Sequence, residues 1–483
     1  MASLKTNVLL NLINTVTSIL LPVITFPYAT RVLQLEGIGV VNFLSSVVNY
    51  IILITGLGIP MYAVKEVARY RDDIAKRNHC TIELTVLSLL LCLWGYAIVA
   101  FMLYGVERIH EHQNLFLILS LSIFFTAIGV NWFYQAVEDF KFITIRAIIF
   151  KVLTTASLFI FVKTPDDLLY YAIITVSLSV GNNFINFIHL RKFIKFRTVV
   201  WSKLNLSHHV KPAMQIFLPY VITNIYGNLN IVMLGFIQDD AAVGIYTAAN
   251  KLLFVVLTII TSLSVVLLPR CSSLISSGEI AQFKELSMKS VRVVIGIALP
   301  CMAGMAMLAY PLIQVFCGST FTPSSHVIVI ACPVLLLIGL TNVIGIQIFY
   351  PQGKPNLVIY STLIGAVTNF LLNFWLIPAY SYVGAAYSTL IAELVVLLVQ
   401  CAAGRKYIPI QFGSLQLHNY LFATAVLVLM LWSIKWFISN ELLMVVLASL
   451  LGSIVYGGFL LLVKDELVKE MVNYARGLLR RGK

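Results

Sequence analysis

Residues 82–104 read IELTVLSLLLCLWGYAIVAFMLY, and after Glu83 the run holds no charged side chain. At 1.5 Å per residue its length matches the ~30 Å of hydrocarbon in a bilayer. About fourteen comparable stretches, each roughly 18–25 residues long, succeed one another with short polar breaks between them. Their approximate positions are 7–30, 39–61, 82–104, 114–136, 145–163, 168–190, 212–237, 243–268, 291–313, 325–348, 357–378, 383–403, 417–438 and 441–463. Of the 483 residues 60% are apolar and 11% charged, which leaves no material for a sizeable water-soluble domain. The composition specifies an all-α polytopic membrane protein of 14 transmembrane helices.

The remaining charges orient the chain, because Lys and Arg accumulate in cytoplasmic loops. With the N-terminus inside, the inner side receives Lys5, five cations from Lys65 to Arg77, and Lys141, Arg146 and Lys151. It also receives six from Arg191 to Lys211, four from Arg270 to Arg292, Lys354, Arg405, Lys406 and six from Lys464 onward. Outer loops hold Arg31, Arg108, Lys163 and Lys435, and Lys251 falls inside a helix, so the 33 basic residues divide 28 to 4 with one in the membrane. Topology and anionic headgroups account for the net charge of +13, and no nucleic-acid partner is needed. Both termini are expected in the cytoplasm. The seven cysteines are scattered and show no disulfide framework. The first apolar stretch is too long for a cleavable signal and leads straight into a second span.

The longest basic connector, residues 191–211, divides six helices (1–190) from six more (212–404). Residues 405–483 supply two further helices and a basic cytoplasmic tail. Within the connector, Phe193, Phe196 and Trp201 among the cations would suit a helix lying in the headgroup layer, although an ordinary positive-inside loop is the favoured account. Short echoes suggest duplication. Glu36-Gly-Ile-Gly-Val-Val-Asn-Phe parallels Ala242-Val-Gly-Ile-Tyr-Thr-Ala, aligning Gly39 with Gly244, and Tyr382-Val-Gly-Ala-Ala-Tyr repeats the pattern at Gly384. Trp132-Phe-Tyr-Gln-Ala likewise answers Ile348-Phe-Tyr-Pro-Gln at the end of the fourth helix of each lobe. Equivalent helices run the same way in both lobes, so the repeats are parallel.

Ionisable groups within hydrocarbon are costly and therefore mark function by default. Lys251 and Glu393 lie near the midplane of the eighth and twelfth helices. Lys251 suits a cavity cation for an anionic group, and Glu393 its countercharge or a protonatable switch; a structural Lys–Glu pair is the alternative. Asparagines recur on single helix faces, including Asn14, Asn49, Asn228 and Asn250, with Asn369 and Asn373 later. They suit either interhelical hydrogen bonds or the lining of a wet cavity. Pro22 and Pro27 interrupt the first helix, and Pro219, Pro300 and Pro333 lie in later ones, where each removes a backbone hydrogen bond. His208 and His209 fall in a loop on this reading. No phosphate loop, zinc-spaced cluster or Ser–His–Asp arrangement is visible, so the chain is not read as an enzyme.

Ile24-Thr-Phe-Pro-Tyr-Ala-Thr-Arg-Val-Leu with Glu36-Gly-Ile-Gly-Val-Val-Asn-Phe, Asn131-Trp-Phe-Tyr-Gln-Ala-Val-Glu-Asp-Phe-Lys, and Val232-Met-Leu-Gly-Phe-Ile with Val243-Gly-Ile-Tyr-Thr-Ala-Ala-Asn-Lys occur in order along the chain. In these segments it resembles the Wzx-type polysaccharide flippases of the MOP (MATE-like) exporter superfamily. The resemblance implies a V-shaped pair of pseudo-symmetric six-helix lobes plus two C-terminal helices. It implies alternating-access flipping of an undecaprenyl-pyrophosphate-linked oligosaccharide for O-antigen, capsule or exopolysaccharide across the bacterial inner membrane. Lys251, Arg31 and Lys65 would then offset pyrophosphate charge, while Asn14, Asn49, Asn228 and Asn250 replace water on the sugar. The partners would be the lipid-linked oligosaccharide, membrane lipids, and a polysaccharide polymerase with its chain-length regulator. No cofactor is implied, with proton or sodium coupling left open. Asn230 stands where many relatives carry Asp, which weakens a carboxylate coupling site there. A cation-coupled drug exporter of the same superfamily would favour acidic cavity residues, and a membrane-embedded glycan ligase or polymerase would need catalytic carboxylates or a large outer loop.

Reporter fusions placed after Lys211 and after Lys483 are both expected to read as cytoplasmic. An external signal at either position requires another helix count.

Overall fold

Hydrocarbon offers no water to bond a peptide group, so each span must satisfy its own backbone and only helices and closed barrels can cross. The computed structural model, which describes residues 4–194, 204–410, 413, 415–465 and 469, is built from helices accordingly. The middle of the 191–211 connector and nearly all of the basic tail lie outside these residues, as does the proposed headgroup helix at Phe196 and Trp201. The chain divides into two compact units, Met1–Gly244 and Ile245–Lys483.

The first unit begins with α1 (Leu4–Gly56), α2 (Ile59–Arg69), α3 (Ile74–Gly105), α4 (Glu107–His110) and α5 (Gln113–Ile128). It continues with α6 (Asn131–Ala136), α7 (Phe140–Phe161), α8 (Leu168–Leu190) and α9 (Ser207–Ile237), and takes in the start of α10 (Asp240–Ser276). Helix α1 is two rods joined at Gln34, whose φ of 60° and ψ of −170° interrupt the helical ladder. Val130, at φ 37°, breaks the fourth apolar stretch in the same manner and splits off α6. Left-handed backbone at a β-branched residue costs on the order of 1–3 kcal/mol, so these breaks persist only where packing enforces them. Around α6 that packing is visible. Trp132, Phe133 and Tyr134 are buried with Tyr62 and Val67 of α2, Leu190 at the end of α8, and Ala213 of α9. Asp73 caps α3 by accepting the Lys76 amide at 3.0 Å. That bond, with the Lys76 side chain behind it, holds the Asp73 carboxyl below the usual carboxylate range.

The second unit holds the rest of α10, then α11 (Ile280–Met307), α12 (Ala309–Phe316), α13 (Ser324–Ala331) and α14 (Val334–Asn342), which runs into a π-helical turn at Val343–Phe349. Helices α15 (Pro355–Ala403), α16 (Leu417–Phe437) and α17 (Glu441–Leu462) complete it. Helix α15 is again two rods, joined at Ser381 with φ 51°. Pro333 sits between α13 and α14, which bend by 44° there. Asn369, Asn373 and Ser388 form a closed, fully buried triangle: Asn373 donates to Asn369 Oδ1 (3.2 Å), Asn369 donates to Ser388 Oγ (3.3 Å), and the Ser388 hydroxyl donates to Asn373. For these two asparagines the helix-packing role expected from the sequence is the observed one.

Among the described residues ten helices are long and apolar enough to span a bilayer, or twelve if each of two bent pairs is one span. Two of the ten contain the breaks at Gln34 and Ser381, so the count is compatible with fourteen. This is a multi-pass membrane protein. The helix boundaries differ from expectation at one informative place. The fifth span starts at Phe140, capped by Asp139 accepting the Phe142 amide at 3.3 Å, rather than at residue 145. Lys141, expected before the helix, is therefore helical with Arg146 and Lys151, and Lys151, counted with the inner-side charges, is central to its span.

The glycine echo has a spatial counterpart in the first unit. A Cβ on Gly39 would overlap the Asp240 carbonyl, and a Cβ on Gly244 would overlap the Leu35 carbonyl. The second rod of α1 and the start of α10 thus cross backbone to backbone, each glycine meeting the residue four positions before the other. Gly384 makes the same close approach to the Leu376 carbonyl in the second unit. Backbone cannot yield as a side-chain tip does. Gly39→Ala and Gly244→Ala are each expected to cost about 1–3 kcal/mol, read as a lower Tm in detergent. Gly304→Ala is the control and should not lower it, since nothing lies within 4 Å of its Cβ position.

Candidate functional site

In the second unit, α10 begins at Asp240, so Lys251 lies eleven residues past its start, about 17 Å along the axis. Its side chain is exposed between the buried Ala249 and Leu252, and Asn250 beside it is half-buried. Glu393 lies twelve residues beyond the Ser381 break, about 18 Å along, and is buried. Tyr246 and Thr389, one turn earlier on the same two helices, share a hydrogen bond at 3.2 Å. That bond ties α10 to the second rod of α15 near the level of the two ionisable groups.

The other expected binding residues belong to the first unit. Arg31 is exposed near the end of the first rod of α1 and donates to the Pro27 carbonyl at 2.9 Å. Lys65 is exposed on α2, Asn49 is exposed on the second rod of α1, and Asn228 is half-buried on α9. Next to Asn49, Tyr50 donates to the Ile225 carbonyl at 2.6 Å, so α1 and α9 meet just before Asn228. Asn14 is engaged differently. Lys151 Nζ on α7 donates to Asn14 Oδ1 at 2.8 Å, to the Asn14 carbonyl at 3.3 Å and to Ser18 Oγ at 2.6 Å. Arg146, on the same helix, donates through Nε to Asn182 Oδ1 (2.9 Å) and through Nη2 to Asn131 Oδ1 (3.4 Å). These two cations lay within the expected span 145–163 but were counted with the inner-side charges in the 28-to-4 division. Asp139, three residues before Phe142 and a good N-cap, moves the start of that span back by five residues and sets Lys151 nearer its middle.

His209 corrects a second expectation, since it is buried in the first turn of α9 rather than lying in a loop. Its Nε2 meets Glu83 Oε2 at 3.0 Å and its Nδ1 meets the Tyr62 hydroxyl at 3.0 Å. Glu83 also accepts the Asn205 amide at 2.6 Å and faces His79 Nε2 at 3.2 Å. Asn78 donates to the Phe193 carbonyl at 3.1 Å. Both described ends of the connector are therefore tied to the first turns of α3. Nothing in this cluster resembles a metal centre, and no group of three or more metal-ligating side chains occurs among the described residues.

An array of mid-span cations facing neutral amides and hydroxyls suits an anionic, hydroxyl-rich ligand better than a cationic one. The comparisons agree with the architecture. The profile of a family described as polysaccharide biosynthesis protein matches residues 4–275. The chain belongs to that family. A second profile, MatE, matches residues 216–375. A Shigella dysenteriae protein named for O-antigen transport is 25% identical over 401 residues, which covers 83% of this chain and 100% of that one. A protein of Escherichia coli K12 with the same name is 23% identical over 82% of this chain and 95% of its own length. Among solved structures, the lipid II flippase MurJ in an inward closed conformation superposes with a TM-score of 0.77 at 15% identity, covering 95% of this chain and all of that one. An inward-facing multidrug MATE transporter follows at 0.60 and 13% identity, over 82% and 94% of the two chains. The fold is the one these two transporters share.

Replacing Glu83 by Ala would leave Nε2 of the buried His209, whose Nδ1 meets the Tyr62 hydroxyl, without its carboxylate. The expected cost is about 2–3 kcal/mol, read as a lower Tm, with Glu83→Gln milder because it can still bond the Asn205 amide.

Proposed function

We propose that this protein flips an undecaprenyl-pyrophosphate-linked oligosaccharide repeat unit from the inner to the outer leaflet of the bacterial inner membrane by alternating access. The observation that carries the reading is the charge of the spans: Lys151 and Lys251 are cations at mid-helix, and Lys151 is held by the neutral Asn14 and Ser18. A sugar head cannot cross hydrocarbon unaided, while its polyprenyl tail can stay in lipid, so the protein need shield only the head. Lys251, Arg31 and Lys65 would take pyrophosphate charge, and Asn14, Asn49, Asn228 and Asn250 would replace water on the sugar. Glu393 would act as countercharge to Lys251. The names of the Shigella and Escherichia relatives favour an O-antigen unit as cargo.

The functional lobes in this proposal are residues 1–190 and 212–404, joined by 191–211, with both termini cytoplasmic. A polymerase and a chain-length regulator would then act on the delivered unit. A cation-coupled drug exporter shares the fold, but mid-span lysines repel the cations such an exporter carries.

In a strain lacking its own flippase, Lys251→Ala is expected to abolish assembly of the surface glycan at unchanged protein abundance, with Lys251→Arg partly active. Normal export by the alanine variant removes Lys251 from the site. Lys251→Ala combined with Glu393→Ala separates two roles: a double variant that inserts well yet exports nothing marks a substrate cation, single losses of abundance that the double variant restores mark a structural pair, and additive losses sink the coupling.

A further inference from the structure

Helix α7 carries a charge that the proposed site does not use. Lys151 lies eleven residues past Phe140 in a 22-residue helix, about 17 Å along it and close to the middle. All three of its acceptors, Asn14 Oδ1, the Asn14 carbonyl and Ser18 Oγ, are neutral. Among the described residues no carboxylate lies within ion-pair distance of its ammonium. Neutral oxygens meet the hydrogen-bonding need but leave the charge uncompensated, and a charge at that depth is expensive unless an ion answers it.

The acceptors sit on a weakened stretch of α1. Pro22 has no N–H to give the Ser18 carbonyl, and Pro27 has none for Val23, so the ladder lacks two bonds just beyond the Lys151 contact. Ser18 is exposed, whereas Asn14 and Lys151 are half-buried, which leaves the ammonium approachable from the Ser18 side.

We propose that Lys151 is a second anion site, binding a phosphate of the lipid-linked head group, and that Asn14 and Ser18 hold the ammonium while that phosphate is absent. The proposal rests on the flippase reading. A phosphate brings the opposite charge that the neutral oxygens of Asn14 and Ser18 lack, and in low dielectric that attraction lets an arriving phosphate displace them. Displacement releases the N-terminal part of α1 from α7 next to the Pro22 break. Binding is thereby coupled to bending of α1, which a cation held by a carboxylate would not provide.

The test measures binding of geranylgeranyl diphosphate, a prenyl diphosphate without sugar, to the full chain in phosphatidylcholine nanodiscs, with geranylgeraniol as the uncharged control. Lys151→Gln is expected to weaken diphosphate binding about tenfold or more and to leave the alcohol unaffected, while Lys151→Arg stays within about threefold of the parent. Ser18→Ala should tighten diphosphate binding, because it removes a resident competitor; a purely structural Lys151 gives no such gain. Unchanged affinity in Lys151→Gln overturns the proposal, as does absence of binding by the parent chain. If Lys151→Gln cannot be purified, unchanged affinity in Ser18→Ala decides against it. Equal displacement of the probe by phosphatidylglycerol would mark a phospholipid headgroup site and overturn the assignment to substrate. Lys151-dependent diphosphate binding in a chain that exports no glycan would sink the flippase reading and leave the anion site standing.

Discussion

Every peptide group in this chain that crosses hydrocarbon must be bonded within the protein, and the rest of the architecture follows from that demand. Helices are the default, and among the described residues the interruptions within expected spans include Gln34, Val130, Ser381 and the π turn at Val343–Phe349. Each departure coincides with dense packing or close backbone approach. Gln34 and Leu35 precede the crossing at Gly39 and Gly244, and Ser381 precedes the one at Gly384. Val130 opens the aromatic cluster of Trp132, Phe133 and Tyr134.

The same demand shapes the polar interior. Asn369, Asn373 and Ser388 satisfy one another in a closed set, which stiffens α15 across its break. Lys151 and Arg146 lean instead on asparagines and a serine. Amides and hydroxyls can pair with a cation in one state and with a sugar or phosphate in another, because they donate and accept at modest strength. A carboxylate partner would hold the cation far more tightly and oppose exchange.

At the other end of the first unit, Glu83 collects His209, His79 and the Asn205 amide. The connector at 191–211 is thus pinned at both of its described ends. Tying a basic loop to α3 fixes where α9 begins, and Tyr50 then meets Ile225 farther along that helix.

The apolar runs and their lengths determined the all-helical, multi-pass fold, because burial of peptide groups in hydrocarbon depends on composition over about 20 residues and hardly on detail. The echo of Gly39 in Gly244 and Gly384 was legible too, since only glycine permits such close backbone contact. Other features needed the third dimension. Lys151 lay within the expected span 145–163 yet was assigned to the inner side, because a division of charges by side carries no depth, and a start set five residues late at the Asp139 cap placed it nearer the helix end. His209 passed for a loop residue because its partners, Glu83 and Tyr62, are more than 120 positions away in sequence. Which charges meet which amides is decided by helix packing across such separations. A one-dimensional pattern records the periodicity of each helix, whereas the partner of each polar side chain depends on how the helices are rotated against one another.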